Sequence, residues 1–233
     1  GAQLFQHSAV ISIKGNGSGY QVKTALGQIR CNQVLIATNG YSSDDLPDWM
    51  AGRYIPTQST VLVTRSMTDD ELATQGWTSN QMCYDTRNLL HYFRLMPDRR
   101  FLFGMRGGLM SSPTAERQSR QRTRRDFERM FPAWREIPSV NSWSGMVCLS
   151  RKQVPYAGPV PGQPGMFAGF AYHGNGIAMG SYVGRLLAEL TWAKPSNVLT
   201  PAVMKSPAGR FPLGRARRAL LPPVYAAMGL ADI

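Results

Sequence analysis

The sequence has few residues that could form disulfides or bind metal ions. Its 233 residues include 3 cysteines and 3 histidines. Cys31, Cys83 and Cys148 lie far apart, and none belongs to a C-x-x-C pair or has the cysteine–histidine spacing of a zinc site. These absences argue against a disulfide scaffold and against a metal site. They favour a reduced, cytoplasmic protein as the default expectation.

Long hydrophobic runs are also missing. No stretch approaches the ~18 consecutive apolar residues that a membrane-spanning helix needs. The first ten residues lack the basic start, apolar middle and cleavage site of a signal peptide. We therefore expect neither a membrane span nor a targeting segment. With 43% hydrophobic and 10% aromatic residues, the composition predicts a folded chain of one large domain or two small ones.

Acidic residues are scarce relative to basic ones. The chain has 14 Asp and Glu against 26 Lys and Arg, a formal net charge of +12. Many of the cations lie in residues 117–129 and 210–218, without the basic–aromatic stripe typical of a nucleic-acid surface. Solvated helix faces explain this distribution more simply, so we expect no nucleic-acid partner. The alternative is a basic, non-catalytic binding module whose affinity would fall steeply with added salt.

The first 40 residues have the pattern of strands and turns. Residues 9–13 and 20–24 alternate polar and apolar side chains around a glycine-rich turn, which predicts a β-hairpin. After a second turn at Gly27, residues 33–40 form an apolar, β-branched run that ends in small residues. This run predicts a buried parallel strand that opens onto a loop, where ligands of α/β sheets bind.

The middle of the chain predicts an antiparallel sheet and one helix. Strand-like runs cover residues 57–64, 89–96 and 100–105, and the Pro97-Asp98 turn pairs 91–95 with 101–105 as a hairpin. Alternation places Tyr92 and Arg94 on one face and His91 on the other. A helix is predicted to begin at Ser112-Pro113 and to end at Pro132.

The last third is rich in glycine. Residues 166–170 predict a strand, 171–176 a tight loop, and 177–192 a helix closed by Pro195. The buried stripe of this helix is predicted to comprise Val183, Leu186, Leu187 and Leu190. Several prolines predict an irregular tail with at most one or two short helices: Pro201, Pro207, Pro212, Pro222 and Pro223.

Three motifs follow one another in the last third. They are Trp143-Ser144-Gly145, then Pro155-Tyr156-Ala157-Gly158, then the segment 169–177, G-F-A-Y-H-G-N-G-I. This order resembles the D-amino-acid oxidase-like family of FAD-dependent amine oxidoreductases, and most closely its γ-glutamylputrescine oxidase-like branch. Residues 34–40, which end in A-T-N-G, and the hairpin motifs 92–94 and 102–104 also resemble that family.

The resemblance implies a fold and a division of the chain. The fold is mixed α/β, the C-terminal part of a two-domain FAD-dependent oxidoreductase with a flavin-domain sheet and an antiparallel substrate-domain sheet. Residues 1–50 would be part of the FAD-binding domain, and 51–140 the substrate domain. Residues 141–233 would return to the FAD-binding domain and form the tail.

The resemblance also implies a reaction. A small amine or amino acid would lose a hydride to FAD, water would hydrolyse the imine, and an acceptor such as dioxygen would reoxidise the flavin. Backbone N–H groups of residues 174–177 would stabilise negative charge on the flavin. The implied catalytic residues are Tyr92, Arg94 and His173. The implied cofactor-binding residues are Thr38, Asn39, Gly40, Trp143, Gly145, Gly169, Tyr172, His173, Gly174, Asn175, Gly176 and Ile177.

One departure from the family concerns the dinucleotide fingerprint. G-x-G-x-x-G should precede everything seen here, and it is absent; residues 15–19 lie between two strands and open no helix. The chain therefore resembles the C-terminal two-thirds of such an enzyme. Flavin binding and turnover are expected to need the N-terminal segment, and a remnant that binds no flavin is the alternative.

Several residues have a structural interpretation beside the functional one. His173 stands where much of the family has S-G-H-G with the histidine two residues later, so it is either a scaffold residue or a base. Asn175 would cap the following helix. Arg94 would hold a substrate carboxylate, or else pair with Asp85 or Asp98 at the surface. Trp143 is predicted to pack in the core. Family members that tether flavin through cysteine place it nearer Gly145 than Cys148, so no tether is expected.

Overall fold

The computed structural model describes residues 1–110, 112–192, 198–206 and 208–232; Pro195 and Pro207 lie outside these ranges. The chain divides into two compact units. Unit 1 comprises Gly1–Pro56 and Val147–Arg218, and unit 2 comprises Thr57–Met146 and Ala219–Ile233. The chain passes from unit 1 to unit 2 after residue 56 and returns after residue 146, six residues after the expected boundaries at residues 50 and 140. Residues from Ala219 onward belong to unit 2, whereas the expected division grouped them with residues 141–218.

The described part of the chain contains both strands and helices, with runs of strands separated by single α-helices and three α-helices at the C-terminal end. The strands are β1 Val10–Gly15, β2 Tyr20–Thr24, β3 Gln28–Cys31, β4 Val34–Ile36, β5 Ile55–Thr64, β6 Cys83–Tyr84, β7 His91–Leu95, β8 Phe101–Gly108, β9 Ser139–Leu149, β10 Tyr156–Pro159 and β11 Met166–Phe170. The α-helices are α1 Asp69–Gln75, α2 Pro113–Met130, α3 Gly176–Thr191, α4 Ala202–Lys205 and α5 Leu221–Ala231. Among the described residues, no helix is long and apolar enough to cross a membrane.

Unit 1 contains two three-stranded sheets. One has the order β1-β2-β3, and its first hairpin confirms the prediction for the opening residues. The third strand was missed because it has four mostly exposed residues and no clear alternation. The other sheet has the order β10-β11-β4, in which β11 runs parallel to β4. The predicted parallel strand is therefore confirmed, but it is only partly buried, since Leu35 is 46% exposed.

Unit 2 is built on a five-stranded sheet of order β6-β7-β8-β5-β9. The predicted hairpin is confirmed: β7 and β8 pair antiparallel from His91 opposite Met105 to Leu95 opposite Phe101. One face of this sheet packs against α2, and aromatic rings fill the space between them. These rings belong to Phe93, Phe101, Phe103, Phe127, Phe131 and Trp134.

Helix α2 begins and ends where the sequence predicts. The Ser112 side chain accepts a hydrogen bond from the backbone N–H of Ala115 at 3.2 Å, and Pro113 occupies the first turn, where no N–H donor is required. The helix ends at Phe131, directly before Pro132. Phe127 is fully buried on its apolar face.

The C-terminal tail is more ordered than predicted. It contains α4, a 3-10 helix at Gly214–Leu220, and the eleven-residue α5. Pro222 and Pro223 do not break α5 because they lie in its first turn, where the backbone N–H groups have no intrahelical acceptor. In α3, Val183, Leu186 and Leu187 are buried as predicted, but Leu190 is 43% exposed because the helix turns it away from the core.

One basic residue contradicts the prediction that the cations lie on solvated faces. Arg217 is 1% exposed and binds Asp44 with two hydrogen bonds of 2.7 and 2.6 Å. Its Nε also donates to the carbonyl oxygen of Tyr54. Because the guanidinium has these partners, its burial is compatible with a stable core, and it joins the 3-10 helix to the rest of unit 1.

Candidate functional site

The parallel pairing of β4 and β11 brings two predicted segments to one edge of the sheet. Residues 38–40 follow β4, and the loop from Ala171 to Asn175 follows β11. The Asn39 side-chain oxygen accepts a hydrogen bond from the backbone N–H of Ala171 at 3.0 Å. Thr38 contacts Ser42 through their hydroxyl oxygens, 2.7 Å apart, and Gly40 is buried. The carboxyl edge of this sheet is where ligands of α/β folds bind.

The loop after β11 has an unusual backbone. Ala171, His173 and Gly174 have φ angles of 67°, 53° and 97°. Left-handed conformations at non-glycine residues persist where the surroundings hold them, and here Asn39 holds Ala171 while the Cys148 carbonyl accepts from the His173 N–H at 3.2 Å. The loop is thus fixed by contacts on both sides.

The start of α3 presents backbone donors to its surroundings. Asn175 occupies the N-cap position as predicted, but its side chain makes no capping hydrogen bond. The prediction that four N–H groups are available is wrong at Asn175, whose N–H donates to the Tyr172 carbonyl at 2.9 Å. Within the described part of the chain, no acceptor meets the N–H groups of Gly174, Gly176 or Ile177, and all three residues are exposed.

Gly169 fixes the position of α3 on the sheet. A Cβ atom at this residue would overlap Val183 and lie 3.0 Å from Leu187, both of which are buried on α3. Only glycine therefore allows α3 to pack this closely against β11. Gly169 is a packing residue, and its effect on the loop is to place the start of α3 beside Asn39.

His173 is held by Ser150. The Nε2 atom of the imidazole accepts from the Ser150 N–H at 3.3 Å and lies 3.2 Å from the Ser150 hydroxyl oxygen. Since Nε2 accepts, the neutral ring carries its proton on Nδ1. Ser150 in turn donates to the Val154 carbonyl at 2.8 Å. These contacts favour the scaffold interpretation of His173 over the base.

Cys148 lies beneath the same loop. It is 1% exposed, and burial raises the pKa of its thiol to about 12. The thiol therefore stays protonated near neutral pH and lacks the nucleophilicity that a covalent flavin tether requires.

Tyr92 crosses the open face of the sheet in unit 2. Its ring lies over Gly104, its partner on β8, where any side chain would overlap it. The hydroxyl reaches β5 and lies 2.9 Å from the Ser59 hydroxyl. Burial raises the pKa of Tyr92, with opposing contributions from Ser59 and Arg106. Tyr92 is thus a neutral hydrogen-bonding group fixed across three strands.

Two residues of this face were not found from the sequence. Arg106 pairs with Ser59 across β5 and β8; burial raises the pKa values of both Tyr92 and Tyr225, and the charge of Arg106 opposes this rise. Tyr225 of α5 hydrogen-bonds Thr57, two residues before Ser59 on the same face of β5. Side chains alternate between the two faces along β8, so Arg106 could have been placed on the same face as Gly104. No local sequence signal predicts that α5 contacts this face.

Arg94, Gly145 and Trp143 belong to unit 2, whereas the glycine loop belongs to unit 1. The Arg94 Nε donates to the Asn80 carbonyl at 3.1 Å, and neither Asp85 nor Asp98 pairs with it in the described structure. Trp143 is 48% exposed, so the prediction that it packs in the core is wrong. It lies on β9, which is an edge strand of the five-stranded sheet.

A family model described as "DAO: FAD dependent oxidoreductase" matches residues 1–190. The chain belongs to this family. Among DAO relatives, it is 29% identical over 222 residues to "Probable oxidoreductase OrdL" of Rhizobium meliloti, covering 95% of this chain and 50% of that protein. It is 28% identical over 231 residues to gamma-glutamylputrescine oxidoreductase of Escherichia coli, covering 99% of this chain and 51% of that protein.

Solved structures agree on the DAO fold. Glycine oxidase from Geobacillus kaustophilus matches with a TM-score of 0.70 at 19% identity, over 88% of this chain and 53% of that one. L-proline dehydrogenase from P. horikoshii matches with a TM-score of 0.66 at 19% identity, over 85% of this chain and 53% of that one. The chain thus spans about half the length of the relatives it matches.

The residues at the edge of the β10-β11-β4 sheet fit part of FAD, the cofactor of the DAO family. The N–H groups at the start of α3 are suited to the electron-rich pyrimidine end of an isoalloxazine ring. No G-x-G-x-x-G motif for the pyrophosphate is present in the 233 residues. In the described ranges, no group of three or more metal-ligating side chains occurs.

Proposed function

We propose that this chain forms the isoalloxazine-binding and substrate-binding part of an FAD-dependent oxidoreductase that acts on a small amine or amino acid. The observation that carries the proposal is the uncapped start of α3, which lies with Asn39 at the edge of the β10-β11-β4 sheet. Membership of the DAO family supports FAD as the ligand of these donors. Dioxygen is the proposed electron acceptor.

Each element of the loop has a distinct role in this proposal. FAD, when bound, takes up the hydride of the amine and so supplies the redox chemistry. The N–H groups of Gly174, Gly176 and Ile177 would hold the electron-rich pyrimidine end of the flavin and stabilise negative charge on it. Asn39 and His173 hold the loop in place through Ala171 and Ser150. No side-chain nucleophile is required.

The sheet face of unit 2 is the proposed substrate-binding surface. Tyr92 offers a neutral hydroxyl, and Arg106 offers a guanidinium that suits a carboxylate. We favour Arg106 over Arg94 for this role because Arg106 stands opposite Ser59 on β5, and the Ser59 hydroxyl lies 2.9 Å from that of Tyr92. The substrate is accordingly an amine that carries a carboxylate.

The proposal includes a second polypeptide segment. The pyrophosphate and adenosine of FAD need a G-x-G-x-x-G turn at a helix start, which these 233 residues do not supply. We infer that another polypeptide segment supplies this turn. Chain coverage of about half of the relatives' length is consistent with this inference.

The experiment is to express the complete reading frame that contains this sequence. We expect protein-bound flavin with its visible absorbance, and bleaching of that absorbance when an amino acid or N-substituted amino acid is added without oxygen. Folded protein that neither contains nor takes up flavin would contradict the proposal. It would instead support the remnant, or the basic binding module if salt-sensitive binding of an acidic polymer were found.

Arg106 and Arg94 offer a matched pair of substitutions on the same sheet face. Arg106→Gln is expected to raise the KM for a carboxylate-bearing substrate by at least about tenfold, because a charged hydrogen-bond donor is lost. Arg94→Gln removes the same charge and is expected to change KM by less than about threefold. Similar effects of the two substitutions would contradict the assignment of Arg106.

A further inference from the structure

A polar cavity in unit 2 is lined by none of the residues assigned to flavin or substrate. Its volume is about 350 Å³, within the range of small-ligand pockets. It is bounded by the β6–β7 connection, the C-terminal half of α2, and the end of α5. The lining residues are Arg87, Leu89, His91, Arg122, Asp126, Arg129, Gly229 and Asp232.

Three arginines line this cavity: Arg87, Arg122 and Arg129, whose side chains are 42%, 51% and 74% exposed. The nearest carboxylate oxygens are 3.8 Å from Arg87, 3.8 Å from Arg122 and 3.9 Å from Arg129. These distances exceed those of hydrogen bonds, so within the described structure the pairs are electrostatic only. Arg122 and Arg129 are seven residues apart on α2, which places them on one face of the helix.

Two of the neighbouring carboxylates already have several donors. Asp85 accepts from the His91 N–H at 2.9 Å and lies 2.6 Å from His91 Nδ1. Asp232 accepts from the N–H groups of Asn88 and Leu89 at 2.8 and 3.0 Å. Neither carboxylate is therefore available to neutralise the three guanidinium groups by direct hydrogen bonding.

Asp126 is the remaining acceptor. One oxygen lies 3.4 Å from His91 Nε2, a long contact, and the carboxylate stands between Arg122 and Arg129. The cavity thus combines three guanidinium groups with two carboxylates, of which Asp232 already accepts three hydrogen bonds and Asp126 has the one long contact with His91. An anion that fits this set must accept hydrogen bonds from guanidinium groups and donate one to Asp126.

We propose that this cavity binds inorganic phosphate in its protonated, hydrogen-phosphate form. The unprotonated oxygens would accept from Arg87, Arg122 and Arg129, and the P–OH group would donate to Asp126. Guanidinium groups bind phosphate oxygens through paired N–H donors. Sulfate has the same shape but carries no proton near neutral pH, so the Asp126 carboxylate discriminates against it.

The test measures phosphate binding by calorimetry, with the protein expressed from its complete reading frame. Phosphate is expected to bind saturably and at least about tenfold more tightly than sulfate at equal ionic strength, because sulfate leaves Asp126 without a donor. Chloride at the same ionic strength serves as the control for screening. Equal affinities for phosphate and sulfate, or no saturable binding, would overturn the proposal.

Substitutions on α2 distinguish a specific phosphate-binding site from general attraction of phosphate to a positively charged surface. Arg122→Gln is expected to weaken phosphate binding by at least about tenfold, whereas Arg125→Gln, which removes the same charge from a residue outside the cavity, is expected to leave it within about twofold. Both side chains are on the surface of the helix, and circular dichroism checks that both variants fold. Equal losses in the two variants would overturn the assignment.

Discussion

The two long helices begin in different ways. At α2, Ser112 caps the first turn and Pro113 removes a donor that would otherwise need an acceptor. At α3, the Asn175 side chain caps nothing, and glycine stands on both sides of it. The start of α2 is completed by its own sequence, and that of α3 leaves donors for another molecule. The comparison distinguishes a helix start that serves stability from one suited to binding a ligand.

The largest expected effect is at the buried face of α2. Phe127→Ala removes a fully buried ring from the aromatic core and is expected to lower the free energy of unfolding by about 3–5 kcal/mol. Leu190→Ala on α3 serves as control, since that side chain is 43% exposed, and its expected loss is below about 1 kcal/mol. Denaturant titration of both variants measures the difference, and equal losses would refute the contrast.

Gly176→Pro tests the donors of α3 directly. Proline is tolerated in the first turn of a helix but has no N–H, so we expect about a tenfold loss of FAD affinity with little loss of stability. Gly176→Ala keeps the N–H and adds a Cβ that meets nothing within 4 Å. It should bind FAD within about twofold of the parent. Unchanged affinity in the proline variant would show that this N–H does not hold the flavin.

Substitutions of the two N-cap residues, Ser112 and Asn175, are expected to have a smaller effect on stability. Ser112→Ala is expected to destabilise the protein by about 1 kcal/mol, because the Ala115 N–H loses its acceptor. Asn175→Ala should cost no more than about 0.5 kcal/mol, because the Asn175 side chain makes no capping bond. Thermal unfolding of the two variants checks this order, and a larger loss at Asn175 would reverse the interpretation of the α3 start.

The smallest expected effect depends on pH. Burial lowers the pKa of His91, but its contacts with Asp126 and Asp85 raise it more, so the pKa lies above the ordinary value. The stability from protonated His91 is therefore complete below about pH 6.5, its pKa in the unfolded chain, and is lost as pH rises through the folded-state pKa. We expect His91→Gln to remove the part of the fall in Tm with rising pH that comes from deprotonation of His91. An identical pH profile in both proteins would contradict it.

Much of the fold follows from local sequence patterns. The Pro97-Asp98 turn predicted the pairing of β7 with β8, and the Ser-Pro start predicted α2, because both depend on neighbouring residues. The parallel strand β4 was recognised by its β-branched run and the small residues after it. The glycine loop was recognised for the same reason, since its conformation needs particular residues at particular positions.

Contacts between distant parts of the chain could not be predicted. Arg217 contacts Tyr54 across 163 positions, and without that partner a buried arginine cannot be distinguished from a surface one. Tyr225 hydrogen-bonds Thr57 only because α5, which is distant from β5 in sequence, packs within unit 2. Trp143 has an aromatic side chain typical of a core, yet it lies on an edge strand. Each of these outcomes depends on tertiary packing rather than on local preference.

The most direct test of the central claim compares the two helix starts by hydrogen–deuterium exchange. Peptides that cover residues 172–178 and 112–118 are measured in the flavin-loaded protein and after flavin removal. We predict that residues 172–178 exchange faster once flavin is removed, while residues 112–118, capped by Ser112, do not change. Equal exchange of residues 172–178 in both states would contradict the claim that the start of α3 holds the flavin.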